Sequence, residues 1–270
     1  CLVSILPGMA QTEKLTDYVN PFVGTDGYGN VYPGAQIPFG GIQISPDTDS
    51  RFYDAASGYK YNHLTLMGFS LTHLSGTGIP DLGDFLFIPG TGEMKLEPGT
   101  HEDPDQGYRS RYSHDKEWAS PNYYAVELAD YGVKAEMTSG VRSGMFRFTY
   151  PESDNAFIMI DMNHTLWQSC EWSNLRMIND STITGYKLVK GWGPERHVYF
   201  TATFSKKLTG LRFVQDKKPV IYNTSRFRSS YEAWGKNLMA CISFDTKAGE
   251  EVTVKTAISA VSTDGARNNM

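Results

Sequence analysis

Apolar and polar residues alternate through much of the second half of this 270-residue chain. Residues 124–128 and 133–137 place apolar side chains at every second position, and a turn at 130–132 separates them. A period of two is that of a β-strand, so this segment predicts an antiparallel hairpin. The run at 157–160 is apolar throughout, which predicts a strand covered on both faces. The other predicted strands are residues 146–150, 198–204, 211–213, 240–244 and 252–258.

Helical patterning is absent, since no window of eleven or more residues has the helical period. Many short strands with antiparallel turns indicate an all-β fold, an antiparallel β-sandwich, in one domain over residues 12–270. Glycine and proline punctuate residues 20–50 and 55–115 every few positions. We therefore expect long loops on one face of the sandwich, and long ordered loops are often functional.

Composition excludes several classes of protein. With 25 Lys and Arg against 30 Asp and Glu, the formal charge is −5, and no basic run is present to bind nucleic acid or an anionic membrane. No stretch reaches the roughly 20 apolar residues that span a bilayer. Three cysteines do not make a disulfide scaffold, and Cys170 and Cys241 are either bridged in an exported protein or small core residues.

Both ends of the chain lead to expectations about export and length. Residues 1–11 are expected to be the remnant of a signal peptide, because they are apolar and place small residues, Gly8 and Ala10, at the spacing of a signal-peptidase site. A lipid-modified Cys1 and a buried first strand are the alternatives. We expect a periplasmic, cell-surface or extracellular protein. Since residues 262–270 follow the last strand abruptly, we also expect the chain to be cut before a further domain.

Several catalytic and metal-binding motifs are incomplete. The glycine pairs at 27 and 29 and at 76 and 78 lack the third glycine and the helix of a dinucleotide site. The six histidines include no His-x-x-x-His pair, so no zinc motif is present. Residues 47–49 begin like a calcium loop, but Arg51 and the missing glycine break that pattern. No Gly-x-Ser-x-Gly elbow occurs.

Carboxylates and aromatic rings concentrate in the loop region. The residues concerned are Asp47, Asp49, Asp54, Asp81, Asp84, Tyr53, Tyr59, Tyr61 and Phe69. Aromatic faces beside carboxylates suit sugars, and His73 adds a hydrogen-bond donor. Turn capping by the aspartates and core packing by the rings are the alternatives. Glu195 and Arg196 are expected to pair with each other. These residues alone favour a carbohydrate site and leave the reaction undetermined.

Spaced motifs in this region resemble the start of glycoside hydrolase family 92. They are Asn20-Pro-Phe-Val-Gly-Thr25, Tyr32-Pro-Gly-Ala35, Gln43-Ile-Ser-Pro-Asp47, Ser57-Gly-Tyr-Lys-Tyr61, Gly68-Phe-Ser-Leu-Thr-His73-Leu-Ser-Gly-Thr-Gly78 and Asp81-Leu-Gly-Asp84. The likeness covers about residues 16–270 and keeps the motifs in the same order.

The resemblance implies an exported, exo-acting α-mannosidase that is calcium-dependent, inverts the anomeric carbon and is typical of gut Bacteroidetes. It implies a β-sandwich of the supersandwich, galactose-mutarotase-like type packed on a C-terminal (α/α)-barrel, with the active site between them. Both catalytic carboxylates and most of the calcium shell would come from the barrel. No catalytic or metal-binding residue is therefore expected in this chain.

The resemblance further implies that this domain supplies one wall of the sugar pocket. The predicted sugar contacts are Tyr59, Tyr61, His73 and Asp81, then Asp47, Asp54 and Asp84, with Gly76 and Gly78 permitting close backbone approach. The expected partners are a mannose-containing glycan and the barrel of the same polypeptide. Two alternatives stay open: a stand-alone carbohydrate-binding module and a structural domain that only docks the barrel.

Overall fold

The structure is a computed structural model that describes residues 14–50, 55–221 and 231–270. The expected signal-peptide remnant, Tyr53 and Asp54 lie outside these residues. The described strands are β1 (Ser45–Asp47), β2 (Thr65–Leu66), β3 (Gly68–Ser70), β4 (Leu86–Thr91), β5 (Ser110–Arg111), β6 (Glu117–Ser120), β7 (Tyr123–Leu128), β8 (Val133–Ser139), β9 (Ser143–Tyr150), β10 (Ser153–Asp161), β11 (Ser169–Asn179), β12 (Thr182–Lys190), β13 (Arg196–Phe204), β14 (Gly210–Gln215), β15 (Lys218–Pro219), β16 (Glu232–Gly235), β17 (Leu238–Thr246) and β18 (Glu250–Ser259).

Helical structure within the described ranges is confined to short pieces. A single α-helix, α1 (Thr263–Asn268), follows the last strand, and Ser262 caps it by accepting a hydrogen bond from the Gly265 amide. The described 3-10 turns are Leu15–Tyr18, Pro104–Gln106 and His114–Lys116. No helix among the described residues is long and apolar enough to cross a membrane.

Two large antiparallel sheets carry the fold. One has seven strands in the order β1-β3-β4-β10-β17-β14-β15, and the other has nine in the order β16-β11-β12-β13-β18-β9-β8-β7-β6. A small third sheet pairs β2 with β5. The prediction of an antiparallel β-sandwich is confirmed.

The main core lies between the two sheets, where aromatic rings interlock. Phe146 of the nine-stranded sheet contacts Phe87 and Phe69 of the seven-stranded sheet, with ring centroids 4.9 and 6.5 Å away. Phe85 and Phe200 meet in the same way at 4.4 Å. These rings are fully buried, so the alternation read in the sequence corresponds to one face turned into this layer.

A second apolar cluster covers the outer face of the seven-stranded sheet. In β10, Ile158 and Ile160 point into the main core, whereas Phe157 and Met159 belong to the outer cluster. The continuous apolar run therefore marks a strand buried on both faces, as predicted. Cys241 of β17 lies in the outer cluster, and Cys170 is also buried, both as free thiols. Of the two readings of these cysteines, the structure supports small core residues.

Strands β11 and β12 are the main elements that the alternation did not predict. Ile183 and Val189 of β12 face inward, but Gly185 and Lys187 stand between them on the same face and interrupt the apolar pattern. A Cβ at position 185 would lie 2.9 Å from the Phe200 ring and 2.2 Å from the Asn174 carbonyl oxygen, so the close strand contact excludes a larger residue.

Truncation of Phe146 tests the interlocked core. Phe146→Ala removes the ring that joins both sheets and leaves a cavity, so we expect the free energy of unfolding to fall by about 3–5 kcal/mol. Met145→Ala, at the neighbouring outward position, is the matched control, with an expected loss below about 1 kcal/mol. Urea unfolding followed by fluorescence measures both, and equal losses would contradict the packing described.

Candidate functional site

Three loops meet at one end of the sandwich, and together we call them the loop end. They are residues 71–85 between β3 and β4, residues 162–168 between β10 and β11, and residues 191–195 between β12 and β13. The Leu166 amide donates to the Leu82 carbonyl at 3.0 Å, and the Gln168 side-chain amide donates to the Pro80 carbonyl at 2.7 Å. The first loop is thereby fixed to the second.

Asp47 is a buried carboxylate held between two histidines. The Nε2 atoms of His73 and His164 each lie 2.8 Å from one of its oxygens, and Nδ1 of His73 donates to the Gln43 carbonyl at 2.8 Å. Burial alone would raise the pKa of Asp47, but the charge of His73 and hydrogen bonds from both rings outweigh it and hold that pKa well below its usual range.

Two glycines allow other parts of the chain to pack closely against β1 and the residue before it. Gly58 has a left-handed backbone with a φ of +88°, and a Cβ there would stand 2.1 Å from Asp47 Oδ1. Gly34 shows the same constraint, since its Cβ would meet the Ile44 carbonyl oxygen at 2.2 Å. These contacts explain two glycines of the motifs found in the sequence: each lets another chain segment pass at a distance that no side chain allows.

Asp84 is the second buried carboxylate of the loop end. Arg196 reaches its two oxygens at 2.6 and 3.2 Å, Lys187 lies 3.2 Å away, and the Thr72 hydroxyl donates at 2.7 Å. Burial opposes ionisation, but the charges of Lys187 and Arg196 prevail and lower the pKa of Asp84. The expected Glu195–Arg196 pair is wrong: Glu195 lies 3.2 Å from His197 instead.

Asp81 caps backbone amides at the same end. Its carboxylate accepts from the Leu82 amide at 2.6 Å and from the Trp192 amide at 3.1 Å. The second bond ties the third loop to the first. Asp81, Asp84 and Asp47 thus each hold the geometry of the loops from inside the protein.

Tyr59 belongs to a separate buried network around Glu117. Only 1% of Tyr59 is exposed, and its hydroxyl lies 2.9 Å from Glu117 Oε1. Tyr124 donates to the same oxygen at 2.5 Å, and His114 Nδ1 lies 2.6 Å from Oε2. Burial and the Glu117 carboxylate raise the pKa of Tyr124. The Tyr59 ring therefore presents its surface to protein rather than to solvent.

Tyr61 is the predicted aromatic contact with an accessible ring, at 37% exposure. It stacks on His114 with centroids 3.9 Å apart and planes 2° from parallel, and Phe22 meets its edge at 5.8 Å. Gly76 and Gly78 are also exposed, with nothing within 4 Å of a Cβ at either position. The Gly76 amide donates to the Asn30 carbonyl at 2.7 Å, which anchors this otherwise open turn.

The predicted site residues thus fall into two groups. Asp47, Asp81, Asp84, His73 and Tyr59 are buried and engaged by protein groups, whereas Tyr61, Gly76 and Gly78 reach the surface. A contact of any of them with sugar stays a prediction, and Asp54 lies outside the described residues.

The buried partners Glu117, His164 and Lys187 were not predicted. Lys187 carried a signal, because a lysine on the inward face of a strand needs a carboxylate partner. His164 and Glu117 had no local pattern to mark them. His164 contacts Asp47 across 117 positions, and Glu117 contacts Tyr59 across 58.

Binding a metal ion needs several ligand side chains gathered in one place. Across residues 14–50, 55–221 and 231–270, no three His, Cys, Asp or Glu side chains gather closely enough to hold an ion. Asp47 and Asp84 are already engaged by histidine, lysine and arginine. The carboxylates and histidines of the described residues therefore form no cluster that fits a calcium ion.

The order of these motifs and the sandwich that they decorate match a known domain. Residues 18–259 match the glycosyl hydrolase family 92 N-terminal domain. The chain belongs to this family. The resemblance read from the sequence is confirmed, and the loop end is therefore a feature of a family 92 domain.

Individual relatives agree with this assignment. An uncharacterized secreted glycosidase of Arthroderma benhamiae is 30% identical over 139 residues, 51% of this chain and 17% of that protein. The structure of the family 92 glycosyl hydrolase ccman5 has a TM-score of 0.77 at 26% identity, over 94% of this chain and 33% of that one. A family GH92 inverting mannosidase from Bacteroides thetaiotaomicron VPI-5482 has a TM-score of 0.76 at 24% identity, over 96% and 33%.

The chain spans only part of these proteins, a third of the two structures and 17% of the fungal glycosidase. The fold and the family membership concern the N-terminal domain itself.

The buried charges of the family 92 domain predict a large stability effect. Asp84→Asn leaves Lys187 buried beside a neutral group, so we expect unfolding to become easier by about 3–5 kcal/mol. Asp105→Asn, which breaks an exposed pair with Arg111, is the control and should cost no more than about 1 kcal/mol. Denaturant titration of both variants measures the free energy of unfolding. An equal loss in Asp105→Asn and Asp84→Asn would contradict the stabilising role of the buried Asp84 pair.

Acid should weaken the same domain. The pKa values of Asp47 and Asp84 are lowered by folding, so their stabilisation is complete above the unfolded value near about 4 and is lost as pH falls below it. We expect the free energy of unfolding to decline from about pH 4 downward, with a shallower slope in Asp84→Asn, which binds one proton fewer. Urea titrations across this pH range provide the measurement, and identical slopes would contradict it.

Proposed function

We propose that this family 92 domain is the N-terminal part of an exported, calcium-dependent, exo-acting α-mannosidase that hydrolyses mannose-containing glycans with inversion. The observation that carries the proposal is the family domain over residues 18–259. The secreted fungal relative supports export and glycosidase activity, and the solved Bacteroides relative is an inverting mannosidase.

In this proposal the chain forms one wall of the sugar pocket and a C-terminal (α/α)-barrel of the same polypeptide forms the other. Inverting hydrolysis needs a general acid and a general base separated widely enough to admit water. Those carboxylates are assigned to the barrel, because Asp47 and Asp84 are buried and engaged by cations within the sandwich. Calcium, which would bind and help to distort the sugar, is assigned no ligand among the described residues.

The contribution of this chain is positioning. Tyr61 offers a ring whose orientation is fixed by His114, and sugars place their C–H faces on such rings. The open turn at Gly76 and Gly78 admits a sugar hydroxyl close to the backbone. Buried ion pairs beneath the loops hold the turn at Gly76 and Gly78, and the contact of His114 with Glu117 holds the ring under Tyr61. These groups need little reorganisation when substrate binds, which lowers the entropic cost of reaching a reactive geometry.

The intact enzyme tests this role. Tyr61→Ala should lower kcat/KM on an α-mannoside by about tenfold, the effect of losing one stacking contact. Tyr231→Ala is the control, since Tyr231 is similarly exposed next to β16, at the edge of the nine-stranded sheet. Kinetics with a synthetic α-mannoside give both values, and NMR of the first sugar released reports its anomeric configuration.

The outcomes separate the competing functions. Hydrolysis without inversion, or none on any α-mannoside, would overturn the proposed activity. An active enzyme in which Tyr61→Ala equals the control would leave the domain with a docking role only. Binding of mannobiose by the chain without its C-terminal region would instead favour a carbohydrate-binding module.

A further inference from the structure

A cleft of about 890 Å³ opens beside the end of β10 and the start of β17. Its walls are the second loop of the loop end, the turns at 216–217 and 236–237, and residues 96–98. None of the described residues predicted to contact sugar lines it. Its volume lies in the range of small-molecule sites, about 300–1,000 Å³. We call it the Asp161 cleft.

One side chain in this cleft is buried, polar and incompletely used. His164 is 5% exposed at its side chain, and its Nε2 is bonded to Asp47. Asp47 is an ionised acceptor, so Nε2 carries the hydrogen. The other nitrogen, Nδ1, has no hydrogen-bond partner among the described residues. It lies in a residue that lines the cleft. A hydroxyl group can pair with Nδ1 in either protonation state, because it both donates and accepts.

Asp161 adds a second polar group to the lining. Its carboxyl accepts from the Asn163 amide at 2.8 Å and lies 3.4 Å from the Tyr108 hydroxyl. Burial raises the pKa of Asp161. Asn163, next to it, is exposed and lines the same cleft.

The two lysines of the lining are paired with carboxylates, and Asp216 is held by a neutral amide. Lys217 pairs with Glu97 at 2.6 Å, Lys236 pairs with Glu171 at 3.1 Å, and Asp216 accepts from Asn237 at 2.8 Å. A lining whose lysines are already paired offers little to an anion, and its other polar groups are hydrogen-bonding side chains. It suits an uncharged molecule rich in hydroxyl groups.

An aromatic ring completes the lining. Trp167 is 54% exposed, and its backbone has a φ of +71°, a left-handed conformation that tryptophan rarely adopts. The strained turn is held by the Thr165 hydroxyl, which donates to the Gln168 carbonyl at 2.7 Å. A large apolar ring kept in water by a strained backbone is more typical of a binding site than of folding.

We propose that the Asp161 cleft binds a sugar residue of a neutral glycan, with Trp167 stacking on the sugar and His164 Nδ1 and the Asn163 side chain bonding its hydroxyls. This site is additional to the pocket of the proposed function and rests on its own lining. It gives the enzyme a second hold on a branched or extended glycan, away from the bond being cleaved.

The test observes the cleft directly in the full-length protein labelled with 5-fluorotryptophan. The chain has five tryptophans, and Trp167→Phe assigns the Trp167 signal. Titration with methyl α-mannoside and with mannobiose should shift the Trp167 fluorine resonance. The Trp118 resonance, from a similarly exposed ring on β6 at the far edge of the nine-stranded sheet, should not move.

Substitution then tests the lining. Asn163→Ala should raise the dissociation constant read from the Trp167 signal by about fivefold, the effect of losing one hydrogen bond. Trp118→Ala should leave it unchanged. Circular dichroism confirms that each variant is folded.

Two results would overturn the proposal: no Trp167 shift with any neutral sugar at millimolar concentration, or a stronger response to galacturonate or inorganic phosphate than to mannosides. Hydrolysis by the wild-type enzyme is measured in parallel. A Trp167 shift in a protein without mannosidase activity would contradict the proposed function and support the sugar site in the Asp161 cleft. An active enzyme whose Trp167 resonance does not shift would support the proposed function and contradict the sugar site.

Discussion

The constraint on which the loop end depends is that a buried charge must be compensated where it lies. Asp84 stands just before β4 of the seven-stranded sheet, while its cations Lys187 and Arg196 come from β12 and β13 of the nine-stranded sheet. The pair therefore crosses the sandwich and fixes one sheet against the other at this end. Removing the carboxylate or its cations would leave a buried charge without a partner, so substitutions of these residues should be strongly destabilising.

The buried carboxylate of Asp47 is also compensated where it lies, here by two histidines. His73 and His164 come from loops that follow different strands, and both end on one carboxylate. Three separated segments of chain are thus joined at a single group. Gly76 and Gly78 follow His73 in the same loop, so their positions depend on this buried cluster, whereas Tyr61 is held by His114.

Sequence patterning was sufficient where burial follows a simple period. The hairpin of β7 and β8, the doubly buried β10 and the final strand β18 all have side chains whose polarity matches their face. The pattern did not predict β12, because Lys187 faces inward there and pairs with Asp84. Asp84 therefore accounts for two wrong expectations: it pairs with the lysine that interrupts the pattern of β12, and it pairs with Arg196, for which Glu195 was expected.

Individual roles were harder to predict than the site region. Family motifs correctly directed attention to residues 43–84, but a motif does not say whether its carboxylates face solvent or protein. That depends on long-range partners such as Glu117 and His164, which lie 58 and 117 positions from the residues they contact, Tyr59 and Asp47. Such contacts exist only after the sheets have assembled, so no local pattern announces them.

The edges of the seven-stranded sheet bear on how the domain behaves at high concentration. One edge is β1, which contains Pro46, and the other is β15, which ends in Pro219. Proline has no amide hydrogen, so neither edge offers an unbroken row of donors to a strand from another molecule. Lys218 adds a charge beside the second proline. Both prolines therefore disfavour edge-to-edge aggregation, which is a hazard for β-rich proteins.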